Sequence, residues 1–543
     1  MMGGNLTGTV RLTRLALRRD RIQLPLWILG TTVLSSTSYT AVREQFPTEA
    51  DRVTALRTAV DAPAILMLRN APTGTSDGDM MAFQILAFLA VLAGFMSTLA
   101  VVRHTRQNEE TGRSELIGSM VVGRHASLTA AMIVTAGANL VLAALLALAL
   151  IGNGLPAAGS VAFGLGVGAA GLTFAAIAAV AAQVSQGARA ANGIAAAAIG
   201  AAYLVRGLGD AFGEVQPDGY TMTSAWPSWL SPIGWTTLVQ PFAGNRWAVL
   251  VLPAVFFAAL LGTAFALADR RDIGMGMLAA RPGPARAAAG LLSPLGLAWR
   301  LQRGTLFGWA VAIGLFGVTI GSLAGTVEDA FAGNEGAART IRELGGGGAL
   351  SDAFFTAMLA MVGAMAAGYV VQAMLRLRSE EAGGRVEPVL ATATGRLRWL
   401  GGHLVVAAFG AVALLLLAGV SAGLVAGLGN GDLGDRLVDL GAAALVQAAP
   451  ALIMIGYVVL LFGLAPRLTV ALAWLGYAVS LVFGQLGELL NLPQAVRDVS
   501  PFSHVPALPS ADVTATPLVL LGVVAVALGA AGLILFRRRD LAL

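Results

Sequence analysis

Leu15-Ala16-Leu17-Arg18-Arg19-Asp20-Arg21, followed by Leu24 and Trp27, returns as Leu297-Ala298-Trp299-Arg300-Leu301-Gln302-Arg303, followed by Leu306 and Trp309, with six identities in one register. A second pair follows further along. Glu109-Glu110-Thr111-Gly112-Arg113-Ser114-Glu115, ending in Gly123-Arg124, is answered by Glu381-Ala382-Gly383-Gly384-Arg385-Val386-Glu387, ending in Gly395-Arg396. Two shorter echoes keep the same order: Ser231-Pro232 with Ser500-Pro501, and Arg270-Arg271-Asp272-Ile273 with Arg538-Arg539-Asp540-Leu541. Four ordered matches argue for an internal duplication, a plan common among transporters.

Composition names the solvent. The 543 residues are 57% hydrophobic and 12% charged, with a mean hydropathy of +0.76. A water-facing surface needs about twice that charge fraction, so the chain belongs in a bilayer. Cysteine is absent, which excludes disulfides, thiolate metal sites and thiol catalysis. Lysine is absent too, so all 35 basic residues are arginine. With abundant Ala and Gly, that bias suggests a high-GC bacterium.

An apolar run of about 20 residues crosses a hydrocarbon core of about 30 Å as a helix. Twelve such runs are expected: 24–42, 81–102, 128–152, 159–184, 191–207 and 247–268, then 305–325, 352–375, 401–427, 437–464, 468–490 and 515–536. This is an all-α polytopic membrane fold of two fused six-helix repeats. The basic stretch Arg11 to Arg21 leads into a span too long for the apolar core of a cleavable signal peptide. With the N-terminus inside, 25 of the 35 arginines fall on the inner side, against 10 of the 30 acidic residues. Arginine placement sets orientation, so both termini are expected in the cytoplasm and the protein in the bacterial cytoplasmic (inner) membrane. The pI of about 10.2 is then a topology signal facing the anionic inner leaflet and calls for no nucleic acid.

The expected organisation is a first repeat over 1–274, a cytoplasmic linker over 275–294 containing Arg281-Pro282-Gly283-Pro284, and a second repeat over 295–543. Leu295 to Arg303 is expected as an amphipathic surface helix, with Arg11 to Gln23 as its counterpart. The first outer loop, 43–80, is expected to hold a short helix carrying Arg52 and Arg57.

Enzymatic chemistry finds little to use. A P-loop needs a lysine to reach nucleotide phosphates, so this chain is no Walker ATPase, and Gly345 to Gly348 reads as a flexible loop. His104, His125, His403 and His504 are isolated, without metal-ligand spacing or a nucleophile triad. Two of them follow charge clusters, where interfacial solvation accounts for them. No catalytic or metal residue is assigned.

The strongest functional candidates are the paired cytoplasmic segments after spans two and eight. Glu109 to Ile117 has a helix start in its polar residues and a stop at Gly123. A short surface helix would expose Arg113 and Glu115. The plain alternative is a positive-inside loop whose glutamates balance arginines. Topology needs arginines, however, and not this recurring Glu and Gly-Arg spacing.

The surface helix before span one, the charged helix between spans two and three, the Ser-Pro loop before span six and the six-plus-six plan resemble the permeases of type-2 ABC exporters. Among these the chain is most similar to the twelve-span tetronasin-resistance type, exporters of polyketide antibiotics. Arg103 to Arg124, Ser231-Pro232-Ile233-Gly234-Trp235 and Arg270-Arg271-Asp272-Ile273-Gly274 carry the resemblance. It implies a complete membrane half served by two copies of a separately encoded ATPase, with ATP and Mg held by that partner and no cofactor here. The ATPase-coupling residues it implies are Glu109, Glu110, Gly112, Arg113, Glu115 and Arg124, with Glu381, Arg385, Glu387 and Arg396. The copies differ at Gly383-Gly384 and at Pro388, where the first half has Leu116.

The resemblance places a substrate path between spans two, five, eight and eleven. Span eight carries Phe354, Met358, Met361, Met365 and Gln372 at helical spacing, and span two carries Gln84, Phe88 and Phe95. Methionines repack around varied apolar ligands, although such stripes equally serve helix packing. Arg206 and Glu488 lie near the outer ends of spans five and eleven, either as functional charges or snorkelling to the interface. The function so implied is export of hydrophobic or amphipathic compounds, antibiotic- or drug-like. A lipid-exporting permease and a proton-coupled twelve-span secondary transporter are the rivals, the latter requiring an intramembrane ionisable relay.

Overall fold

Without water to bond to, backbone groups in an apolar run must satisfy one another, and a helix does this within the run. The computed structural model describes residues 2–272, 274–278, 283–323, 350–430, 432–485, 487 and 492–540. Glu488, Ile273, Arg281-Pro282 and the glycine run 345–348 lie outside the described residues. Among the described residues ten helices are long and apolar enough to span a bilayer. They are Asp77–Glu110, Ala126–Gly152, Ala157–Val184, Ala188–Ala211, Trp247–Arg270, Pro294–Leu323, Leu350–Ala382, Arg396–Gly429, Leu433–Leu464 and Ala515–Arg538. The chain is an all-α, multi-pass membrane protein. By its internal contacts it divides into two units, Met1–Pro282 and Gly283–Leu543.

After a single helical turn at Met2–Asn5, the first unit has α1 (Thr9–Arg19) and α2 (Gln23–Gln45). Pro25 is tolerated only in the first turn of a helix, so α2 must start just before it. α2 buries Leu24, Ile28, Thr31, Ser35, Tyr39 and Val42, one stripe at helical spacing. It is not among the ten because Thr and Ser lower its hydropathy. Those hydroxyls bond inside the helix, as Thr31 Oγ1 to Trp27 O at 2.7 Å and Thr32 Oγ1 to Ile28 O at 2.8 Å. Next come α3 (Glu49–Val60), which carries Arg52 and Arg57 behind a Thr48/Asp51 capping box, and α4 (Pro63–Leu68). The central pair is α5 (Asp77–His104) and, after α6 (Arg106–Glu110), α7 (Arg113–Gly118) and α8 (Ala126–Gly152), the deeply buried α9 (Ala157–Val184).

α9 packs on α5 and α8 because its glycines admit neighbouring backbone. A Cβ on Gly164 would meet Ala143 O at 2.3 Å, the close approach that small residues permit in membranes. α10 (Ala188–Ala211), a two-residue hairpin of β1 (Glu214–Val215) and β2 (Met222–Thr223), α11 (Pro232–Leu238) and α12 (Val251–Arg270) complete the unit. Residues 274–278 then lie along the end of α9, with Met277 N donating to Gln183 O at 3.1 Å.

The second unit comprises α13 (Pro294–Leu323), α14 (Leu350–Ala382), α15 (Val386–Leu390), α16 (Arg396–Asn430), α17 (Leu433–Val446), α18 (Ala448–Leu464), α19 (Thr469–Gln485) and α20 (Ala515–Arg538). α13 packs along α16, α18 along α20, and α14 against both α16 and α18. Pro450 has no N–H for the preceding turn, and the span expected at 437–464 is accordingly broken at Gln447 into α17 and α18. The separate surface helix expected at 295–303 is instead the first part of the continuous α13. Phe307 stands where the first unit has Pro25, so nothing interrupts the helix. The span expected at 468–490 is described as the 17-residue α19.

Candidate functional site

The echoed charges meet at the arginine-rich end of each unit. In the first, α5 ends at His104 and the chain bends at Thr105 into α6. Arg106 is fully buried there. Its guanidinium donates to three carbonyls, Gln186 O at 2.7 Å, Met275 O at 2.9 Å and Gly274 O at 3.0 Å, and meets Glu109 at 2.5 Å. Arg271, just past α12, grips the same carboxylate with two bonds of 2.5 and 2.8 Å and donates to Gln183 Oε1 at 2.6 Å. Arg124 donates to Arg271 O at 2.8 Å, and Glu110 accepts from Ala188 N at 2.9 Å at the start of α10. One half-buried carboxylate thus ties together the ends of α5, α9 and α12, which it can do because each of its oxygens is held by a charged donor.

The second unit makes the same lock from the matching letters. Glu381, at the end of α14, meets Arg539 at 2.5 Å and Arg378 at 3.2 Å. Arg539 donates to Phe462 O at 3.0 Å, at the end of α18, and lies over the Phe462 ring at 4.8 Å. Arg396 donates to Arg539 O at 2.7 Å, as Arg124 does to Arg271 O. Gly112 and Gly384 take the same left-handed turn, φ +71° and +68°, which glycine adopts without strain. The Ser-Pro echoes correspond too. Ser231 Oγ donates to Ala202 O in α10 at 2.6 Å, and Ser500 Oγ to Ser480 O in α19 at 2.7 Å.

The remaining candidates separate by exposure. Arg113 and Glu115 are exposed on α7, together with Leu116 at 73% and, just beyond, Val121 at 86%. Glu387 is exposed on α15, whereas Arg385 folds back onto Glu380 at 2.8 Å. Of the stripes, Phe88 and Met361 are about half exposed, at 50% and 48%. Gln84, Phe95, Met358 and Met365 are half-buried, Phe354 is buried, and Gln372 accepts from Trp309 Nε1 at 2.7 Å. Phe95 packs with Phe174 and Ile199. Arg206 is fully buried and closed: it pairs with Asp210 at 3.0 Å, donates to Met67 O at 2.7 Å and to Arg69 O, and lies over the Tyr203 ring at 4.5 Å. It therefore holds α4 to α10 without reaching water.

Sequence reasoning passed over Arg106, and it quoted Arg271 and Arg539 without giving them a role. The signal was present, since each stands at nearly the same distance from its echoed glutamate. His104 and His125 are also more than solvated flanks. Buried His104 meets buried Asp20 at 2.6 Å, beside Arg103 at 2.7 Å, and His125 meets Asp269 at 2.7 Å. Asp20 would be raised by burial, yet its bonds to His104 and Arg103 hold the carboxyl below the usual range.

Residues 291–537 match the family described as the C-terminal domain of the multidrug efflux system permease Rv1217c. Over 539 residues the chain is 40% identical to the multidrug efflux system permease protein Rv1217c of Mycobacterium tuberculosis, spanning 99% of this chain and 96% of that protein. A likeness of that extent, over nearly the whole of both chains, makes this chain a member of the multidrug efflux system permease family.

Proposed function

We propose that this chain is the membrane permease of an ATP-driven exporter, moving hydrophobic or amphipathic drug-like compounds out of the cell with energy from a separately encoded ATPase. The observation that carries the export reading is the full-length relationship to a multidrug efflux permease. The partner reading is supported by α7, where Arg113, Glu115 and Leu116 stand exposed at the arginine-rich end with Val121 just beyond. An apolar tip rimmed by charges suits a protein partner. In this reading two ATPase copies, with their ATP and Mg, dock at the cytoplasmic tips of α7 and α15. The tips move rigidly with the locks behind them, and two six-span repeats, 1–274 and 295–543 joined by 275–294, alternate access around an apolar path in the cytoplasmic membrane. α2 and α19 complete twelve spans, with both termini inside. Phe88 on α5 and Met361 on α14, each about half exposed on its own unit, are the path residues this reading would test.

The test uses residues outside the locks. Glu115→Arg with Glu387→Arg is expected to leave a folded membrane protein that no longer co-purifies with, or stimulates, a Walker-type ATPase from its host. Normal stimulation by that double variant, or wild-type chain that repeatedly purifies from its host without an ATPase, defeats the proposal. Gradient-driven flux without ATP would replace it with the secondary-transporter reading.

A further inference from the structure

A cleft of about 250 Å³ opens at the arginine-rich end of the first unit, between α1, the end of α5, α7 and the start of α8. Its lining combines apolar side chains, Leu12 and Leu15 of α1 and Ile117 of α7, with Arg19, Arg113 and His104. No carboxylate lines it. Asp20, next to Arg19 in the chain, is occupied by Arg103 and His104 at 2.7 and 2.6 Å. Partial burial, then the charges of Arg113 and Arg103, hold the Arg19 guanidinium below its ordinary value. A surplus of positive charge therefore faces a half-apolar cavity, and an anion with an apolar tail complements both.

The setting decides which anion. α1 exposes Val10 at 75%, Leu15 at 56% and Leu17 at 52%, beside Arg11, Arg14 and Arg18. Such a helix lies in the membrane interface with its apolar side chains among acyl chains and its arginines at headgroup level. A cleft walled by that helix opens at phosphate depth. We infer that the α1–α7 cleft binds one anionic phospholipid, its phosphate between Arg19 and Arg113 and the start of an acyl chain against Leu12, Leu15 and Ile117. Because α7 forms one wall, the bound lipid braces this exposed tip from behind. The site stands whether or not an ATPase docks on the tip.

Native mass spectrometry of the purified full chain tests this, with phosphatidylglycerol, phosphatidylcholine and inorganic phosphate as separate probes. Wild type is expected to retain phosphatidylglycerol over phosphatidylcholine. Each arginine removed should weaken that binding about five-fold, so Arg19→Gln with Arg113→Gln loses about 25-fold and leaves phosphatidylcholine binding unchanged. Arg14→Gln removes the same charge from α1 outside the cleft and is expected to cost far less. Equal affinity for the two lipids, retention of phosphatidylglycerol by the double variant, or an equal loss in Arg14→Gln overturns the site. Binding of inorganic phosphate that displaces phosphatidylglycerol and is abolished in the double variant would assign the cleft to a soluble anion and overturn the lipid. Should the double variant fail to fold, Arg113→Gln alone carries the test, since that side chain is exposed.

Discussion

Glu109→Gln removes one negative charge from between two guanidiniums, and the structure says what that costs. Arg106 has none of its side chain exposed and Arg271 only 9%, while Glu109 itself is 12% exposed. Leaving a buried charge without its partner costs about 3–5 kcal/mol. Glutamine retains one acceptor oxygen and the pair lies at the end of the bundle, so the lower bound applies, about 3 kcal/mol or more than 100-fold in the folded ratio. Arg271→Gln is milder, because Glu109 keeps Arg106. In a double-mutant cycle read by unfolding in mixed micelles, the pair should show a coupling of about 1–3 kcal/mol. Glu115→Gln, on the exposed face of α7, provides the baseline, within about 0.5 kcal/mol of wild type. Additive effects of Glu109→Gln and Arg271→Gln, or a cost for Glu109→Gln no greater than that for Glu115→Gln, would refute the lock.

The second unit should respond in kind: Glu381→Gln strands Arg539 and is expected to destabilise by about 3 kcal/mol in the same assay. Gly171→Ala would place a Cβ 1.8 Å from Asn139 Oδ1, next to the buried Asn139–Ser97 bond of 2.8 Å. It is expected to cost about 1–3 kcal/mol, seen as a lower melting temperature. Because the Asp20 carboxyl is held below its ordinary value, its ionised form stabilises the fold fully above its unfolded value of about 3.9. That contribution disappears as pH falls through the lower folded value. Asp20→Asn should therefore show less loss of stability on acidification, measured by melting across that range.

Most of the membrane plan was legible because apolar length is a direct reading of bilayer thickness, and helices such as α8, α9 and α20 fall close to their expected limits. α2 was legible at 24–42 despite its Thr and Ser, because hydroxyls that look polar in sequence are satisfied by the turn before them. The uninterrupted α13 turned on one proline, present at 25 and replaced by phenylalanine at 307. At the site, repetition picked out Glu109 and Glu381 but gave no guide to depth. A glutamate in a charge run reads as solvated until its partners are seen, and those partners, Arg271 and Arg539, lie at the far ends of their units. Arg206 shows the converse, since spacing cannot tell a lumen charge from one enclosed by Asp210 and the carbonyls of α4.

That distance along the chain matters during synthesis. Glu109 precedes Arg271 by 162 residues and Glu381 precedes Arg539 by 158. On a ribosome feeding one span after another into the bilayer, each carboxylate waits, without its distant arginine, until the last helix of its unit has emerged. Each half can thus close its arginine-rich end only after every intervening helix has been delivered, so the lock doubles as a completion signal, and in a chain stalled before that arginine the acid holds only its local partner, Arg106 or Arg378.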